Sequence, residues 1–119
     1  LAVILAGYTR EMEEFLNSNP GLRSRLSKII EFPDYTLDEL MQIFRFDMKK
    51  RGYELNISDS VLSETIGREM NARDFGNARG VRNICDRVIA AHNTRLNTMD
   101  LSSLTNEAIV TITDADFGL

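Results

Sequence analysis

The sequence predicts a mainly α-helical chain of two unequal parts: the closing strands of an α/β core over residues 1–34, then a small helical bundle over residues 35–119. Three observations carry this. The apolar run AVILA at residues 2–6 ends at Gly7 and suits a strand buried on both faces. A second β-like run, SKIIEF at residues 27–32, is stopped by Pro33-Asp34. From Tyr35 onward, apolar residues recur at helical spacing in three segments, each with its own start signal.

Taken in order, Thr9 reads as the N-cap of a short helix with Met12, Phe15 and Leu16 on one face, broken by Asn19-Pro20-Gly21. Two strands alone make a poor sheet, so their neighbours are expected elsewhere. The chain also begins without methionine inside a strand-like run, the expectation being a fragment of a longer protein. Thr36-Leu37-Asp38-Glu39 has the form of a capping box, followed by Leu37, Leu40, Met41, Phe44 and Met48 at helical spacing and closed by Gly52. Ser58 caps a second helix carrying Val61, Leu62, Ile66 and Met70. The third begins near Asn77 and runs to about Thr98, with a stripe of Val81, Ile84, Cys85, Val88, Ile89, His92 and Leu96. Beyond Leu101 and Leu104, IVTITDADF alternates like a short strand, and Tyr53-Glu54-Leu55 is its candidate partner.

Bulk chemistry narrows the function. A net charge of -4 in 119 residues argues against a general nucleic-acid binder or a membrane-surface protein. No apolar run approaches the ~20 residues that span a bilayer. One histidine and one cysteine cannot build a usual zinc site, so no metal ligands are assigned. Cys85 among apolar residues reads as a reduced core thiol, which points to the cytoplasm. His92 lies on the apolar stripe and reads as a core histidine. No serine or cysteine has the partners that nucleophilic catalysis needs.

Three polar stretches remain. Gly7-Tyr8-Thr9-Arg10 follows a strand candidate, where parallel sheets bind ligands, although on local grounds a glycine turn and helix cap explain it better. NPGLRSRL, residues 19–26, offers Arg23 and Arg25 between a turn and a strand; they suit phosphate on a neighbouring subunit or form a solvated basic loop. In DFGNARGVRN, residues 74–83, Gly76 frees the backbone to turn, Asn77 can cap the helix, and Arg79 falls in its first turn. The amide end of a helix carries positive partial charge, so an arginine there calls for something negative nearby. Arg79 therefore reads as a phosphate ligand or as half of a structural ion pair. Arg82, with Asp86 at i+4, reads as an exposed ion pair.

The order of these stretches is more telling than any one of them. AGYTREM, NPGLRSRL, SKIIEFPDYTLDEL and DFGNARGVRN together resemble the C-terminal half of AAA+ ATPases, from about Val3 to Leu96. The branch they resemble contains the red-type rubisco activase and the stage V sporulation protein K-like ATPases. The resemblance implies that residues 1–34 end a RecA-like α/β core and residues 35–119 form the helical lid. It implies ATP as ligand, with Mg2+ in the parent protein, a hexameric homo-oligomeric ring, and a protein substrate to be remodelled. By position, Thr9 (or Tyr8) would be sensor 1 and Arg25 (or Arg23) the arginine finger. Arg79, with Gly76 and Asn77 around it, would be sensor 2. Phe32-Pro33-Asp34 would be the hinge between lid and core.

No G-x-x-x-x-G-K-[ST] loop and no acidic Walker B strand occurs in these residues. The expectation is that both lie upstream in a parent protein, and that this segment alone does not hydrolyse ATP. The rival reading is a self-contained helical interaction module whose arginines contact a partner. A DNA-binding helical domain would be a third, against which the net charge argues.

Overall fold

A computed structural model describes residues 1–118, and its contacts separate two units, Leu1–Pro33 and Asp34–Leu119. In the first, helix α1 (Thr9–Ser18) packs on the short α2 (Pro20–Arg25). Pro20 opens α2, where its missing N–H costs nothing. The expected strands at residues 2–6 and 27–32 do not form: both stretches lie outside any helix or strand and are exposed. Ile4 is 90% exposed and Ile30 65%. A strand needs a ladder neighbour for its backbone groups and a second layer for its side chains, and the described residues supply neither. Two smaller differences follow. Thr9 is the first helical residue, with Tyr8 at the N-cap position, and Arg23 and Arg25 sit in a helical turn instead of a loop.

The second unit follows its sequence signals closely. Helix α3 (Leu37–Lys50) starts at a complete capping box: the Glu39 N–H donates to Thr36 Oγ1 at 3.2 Å, and the Thr36 N–H donates to Glu39 Oε1 at 3.0 Å. Gly52 then takes φ 92°, a left-handed turn that a side chain would resist. Strand β1 (Glu54–Asn56) leads to α4 (Asp59–Glu69), capped by Ser58, whose Oγ accepts from the Val61 N–H. The long α5 (Ala78–Asn97) follows, then a 3-10 turn at Leu101–Ser103, the short α6 (Asn106–Val110) and β2 (Thr111–Thr113). The strands pair in parallel, Leu55 opposite Ile112, with α4 and α5 in the crossover between them. A last 3-10 turn, Asp114–Phe117, closes on α5, and Asp114 accepts from the Ser58 N–H at 2.9 Å.

One core holds this unit together. Leu40, Phe44 and Met48 of α3 meet Leu62 and Ile66 of α4, with Val81, Ile84, Cys85 and Val88 of α5 and Ile112 of β2. Phe117 tilts against Phe44 with ring centres 5.7 Å apart. Burial and the neighbouring Asp47 push the Cys85 thiol up to about 12, so it stays protonated and unreactive.

Candidate functional site

The stretch ahead of α5 is shaped by backbone and not by side-chain capping. Gly76 takes φ 78°, and Asn77 takes φ 52° with ψ −114°. Asn77 occupies the N-cap position of α5, yet its side chain makes no capping bond to that helix. It reaches instead to residues more than forty positions earlier: Nδ2 donates to Asp34 Oδ1 at 2.9 Å, and Oδ1 accepts from the Tyr35 N–H at 3.2 Å. The expected helix cap is thus a bridge to the start of the second unit.

Arg79 folds back over this turn. A Cβ on Gly76 would lie 2.8 Å from Arg79 Nη2 and 2.9 Å from Nε, so the guanidinium rests against the bare glycine backbone. Its own N–H donates to the Gly76 carbonyl at 3.0 Å. Gly80, one residue on, has a different reason to be glycine. A Cβ there would meet the Phe75 carbonyl oxygen at 2.4 Å and the Phe75 ring at 2.6 Å. Phe75 is buried, and Gly80 with it, so the turn is pressed onto the core from below. The structure therefore brings Gly76, Asn77 and Arg79 together at the amino end of a 20-residue helix, the end that carries partial positive charge. Arg82 departs from expectation. Asp86 is taken by Arg51 of α3, Nη1 to Oδ1 at 2.7 Å, and Arg82 instead borders a small hollow with Ile43, Phe46, Asp47, Lys50 and Ala78.

The remaining candidates lie in the first unit. Thr9 is exposed at the start of α1. Arg23 is engaged, its Nη2 donating to Asn17 Oδ1 at 2.9 Å. Arg25, the last residue of α2, is exposed, and its side chain makes no hydrogen bond or ion pair among the described residues.

The buried polar residues form a network at the end of the chain. His92 and Asp116 are buried side by side. Arg95 Nε donates to Asp116 Oδ1 at 2.7 Å, Nη2 donates to Oδ2 at 3.1 Å, and the Thr113 N–H donates to Oδ2 at 3.0 Å. His92 Nε2 lies 2.7 Å from the Ile109 carbonyl, which can only accept, so Nε2 carries a proton; Nδ1 lies 3.1 Å from Arg95 Nη2 and 3.2 Å from Asp116 Oδ2. Burial pushes Asp116 up, but the Arg95 hydrogen bond, the Thr113 N–H and nearby positive charge outweigh it and hold the carboxyl below its ordinary value. The signal available was the His92–Arg95 spacing on one helix face together with an aspartate inside a strand-like tail. A satisfied network of this kind pins the tail to α5 and offers no open position for a ligand.

The family model described as the AAA lid domain matches residues 36–119. The chain is 41% identical over 117 residues to the Protein CfxQ homolog of Galdieria sulphuraria, covering 98% of this chain and 38% of that protein. It is 39% identical over 117 residues to Protein CbbX of Cereibacter sphaeroides, covering 98% and 38%. It is 37% identical over 117 residues to the chloroplastic ribulose bisphosphate carboxylase/oxygenase activase of Cyanidioschyzon merolae, covering 98% and 40%. The chain thus spans about two fifths of the length of the curated relatives it matches.

Proposed function

The chain belongs to the AAA lid domain family, and from that premise we propose that it is the C-terminal part of an AAA+ ATPase that couples ATP hydrolysis to remodelling of a protein partner. The observation that carries this is the Arg79 guanidinium folded over the Gly76 backbone at the amino end of α5. Guanidinium and helix terminus together suit a phosphate oxygen, and Gly76 has no Cβ to push the guanidinium off the turn. In this reading Arg79 is the sensor 2 residue, holding the β- and γ-phosphates of ATP. Phosphoryl transfer asks little covalent chemistry of the protein and much charge placement, which is what this chain's arginines would provide.

Arg25 is assigned as the arginine finger, offered to the nucleotide of the next subunit in a hexameric ring. The bond from Arg23 to Asn17 supports that choice, since it leaves Arg25 as the arginine of α2 with its fork uncommitted among the described residues. Thr9 is assigned to sensor 1. The lysine that grips the phosphates, the Mg2+ ligands and the acid that activates water are assigned to the parent protein outside these residues. A buried, protonated Cys85 suits a cytoplasmic location.

ATP turnover of the full-length protein tests this, with Arg79→Ala and Arg25→Ala measured alone and mixed with wild-type subunits. Both variants are expected to lose about 10³-fold or more in kcat, and Arg25→Ala should also depress wild-type subunits in the mixture. Wild-type turnover by both would make the arginines structural and return the chain to a helical interaction module.

A further inference from the structure

The geometry points to Asn77 as a positioning residue: we propose that its side-chain amide locks Asp34 and Tyr35 to the start of α5, so that Arg79 moves as one piece with the chain leaving residue 33. This rests on the phosphate-binding role proposed for Arg79 and goes beyond it.

The backbone gives the first reason. At φ 52° and ψ −114°, Asn77 is the one non-glycine residue with positive φ among the described residues. Glycine adopts that conformation freely, whereas a residue with a Cβ is strained in it. Local backbone needs alone would favour a second glycine after Gly76. The side chain must therefore contribute something glycine cannot. Capping is not that contribution, although the chain caps other helices in the ordinary way: Thr36, Ser58 and Thr105 each accept from an N–H in the first turn of theirs.

The second reason is chemical fit. The site asks for one donor, toward the Asp34 carboxylate, and one acceptor, toward the Tyr35 N–H. A primary amide supplies both from one planar group. Aspartate would face Asp34 with a like charge, and serine would not span both partners. The bridge lies two residues before Arg79, and the Arg79 N–H is itself bonded back to Gly76. Asp34 and Tyr35 are the first residues of the second unit. Without the bridge they are free to bend, and any turning of the connection would be lost as slack before it reached Arg79. With it, bending is confined to residues before Asp34.

The test uses Asn77→Gly in the full-length protein, because glycine keeps the backbone conformation and removes only the amide. The thermal midpoint should stay the same or rise. The Tyr35 amide should exchange with solvent about tenfold faster, the loss expected for one hydrogen bond. kcat/KM for ATP should fall by about the same factor. Asn77→Asp keeps an acceptor for the Tyr35 N–H but sets a second carboxylate against Asp34, so kcat/KM should fall, and the double variant Asp34→Asn/Asn77→Asp, which exchanges the two groups, should recover it. Unchanged Tyr35 exchange in Asn77→Gly overturns the bridge. Faster exchange with unchanged kcat/KM, while Arg79→Ala is impaired, overturns the coupling and leaves the function of Arg79 standing. If Arg79→Ala and Asn77→Gly both turn over ATP like wild type, the phosphate role and the positioning role fall together.

Discussion

The two units obey the same physics and show opposite outcomes. Asp34–Leu119 has a core of eleven buried apolar residues, ten from three helices and a strand and Phe75 from the turn before α5. Leu1–Pro33 has one buried residue, Leu16, and leaves Ile4, Ile29, Ile30 and Phe32 more than half exposed. The helices of the first unit form because their bonds are local and each needs no partner to close its ladder. Its strand-like runs are just as apolar but hold no regular structure, since a strand borrows half its hydrogen bonds from a neighbour. Hydrophobicity sets what a segment would bury, and topology decides whether it can.

The sharpest way to break this comparison is Phe44→Ala. Phe44 is fully buried at the centre of the second core and touches Phe117. Removing the ring should cost about 3–5 kcal/mol of stability, read by urea unfolding of the chain. Hydrogen exchange should then accelerate along α5 and stay unchanged over residues 1–7, which lie outside any helix or strand. A small effect on α5 would mean that the helices hold themselves up and the core adds little.

A smaller break is Asp116→Asn. The carboxyl sits below its ordinary value of 3.8 in the folded chain, so its stabilising contribution is fully present above that value and is lost as pH falls through the lower folded one. The substitution should cost about 2 kcal/mol at pH 7, because the buried carboxylate accepts from Arg95 twice and from Thr113. It should also flatten the loss of stability between pH 4 and the folded value, an interval over which the wild-type chain weakens. An unchanged acid limb would show that other carboxylates set it.

How much of this was legible follows from how local each signal is. The capping box at Thr36, the Ser58 cap and the bounds of α5 were readable because each is decided within four residues. The candidate partner Tyr53-Glu54-Leu55 begins one residue before the observed β1, Glu54–Asn56, since alternation marks a strand but not its ends. Gly76 and Arg79 were readable as a turn and a helix-start arginine. The true partners of Asn77 and Asp86 were not: in both cases the sequence offered a plausible neighbour within four positions, and a residue over thirty positions away won. Phe75 was missed because its burial depends on Gly80 letting the backbone come close, and no periodicity records that.

The smallest effect sharpens the comparison from the local side. Thr36→Ala removes the oxygen that accepts from the Glu39 N–H and leaves the Glu39 carboxylate its bond to the residue 36 N–H. Both bonds are exposed, so water can replace what is lost, and the cost should be about 1 kcal/mol by urea unfolding. The same substitution at Ser58 should cost a similar amount, because its single capping bond to Val61 is of the same kind. Thr36 differs in standing beside Tyr35, whose N–H is held by Asn77. If Thr36→Ala costs clearly more than Ser58→Ala, the cap and the bridge stabilise one another across the start of α3, and the difference should vanish in an Asn77→Gly background. Equal costs in both backgrounds would make the cap purely local, acting on α3 alone.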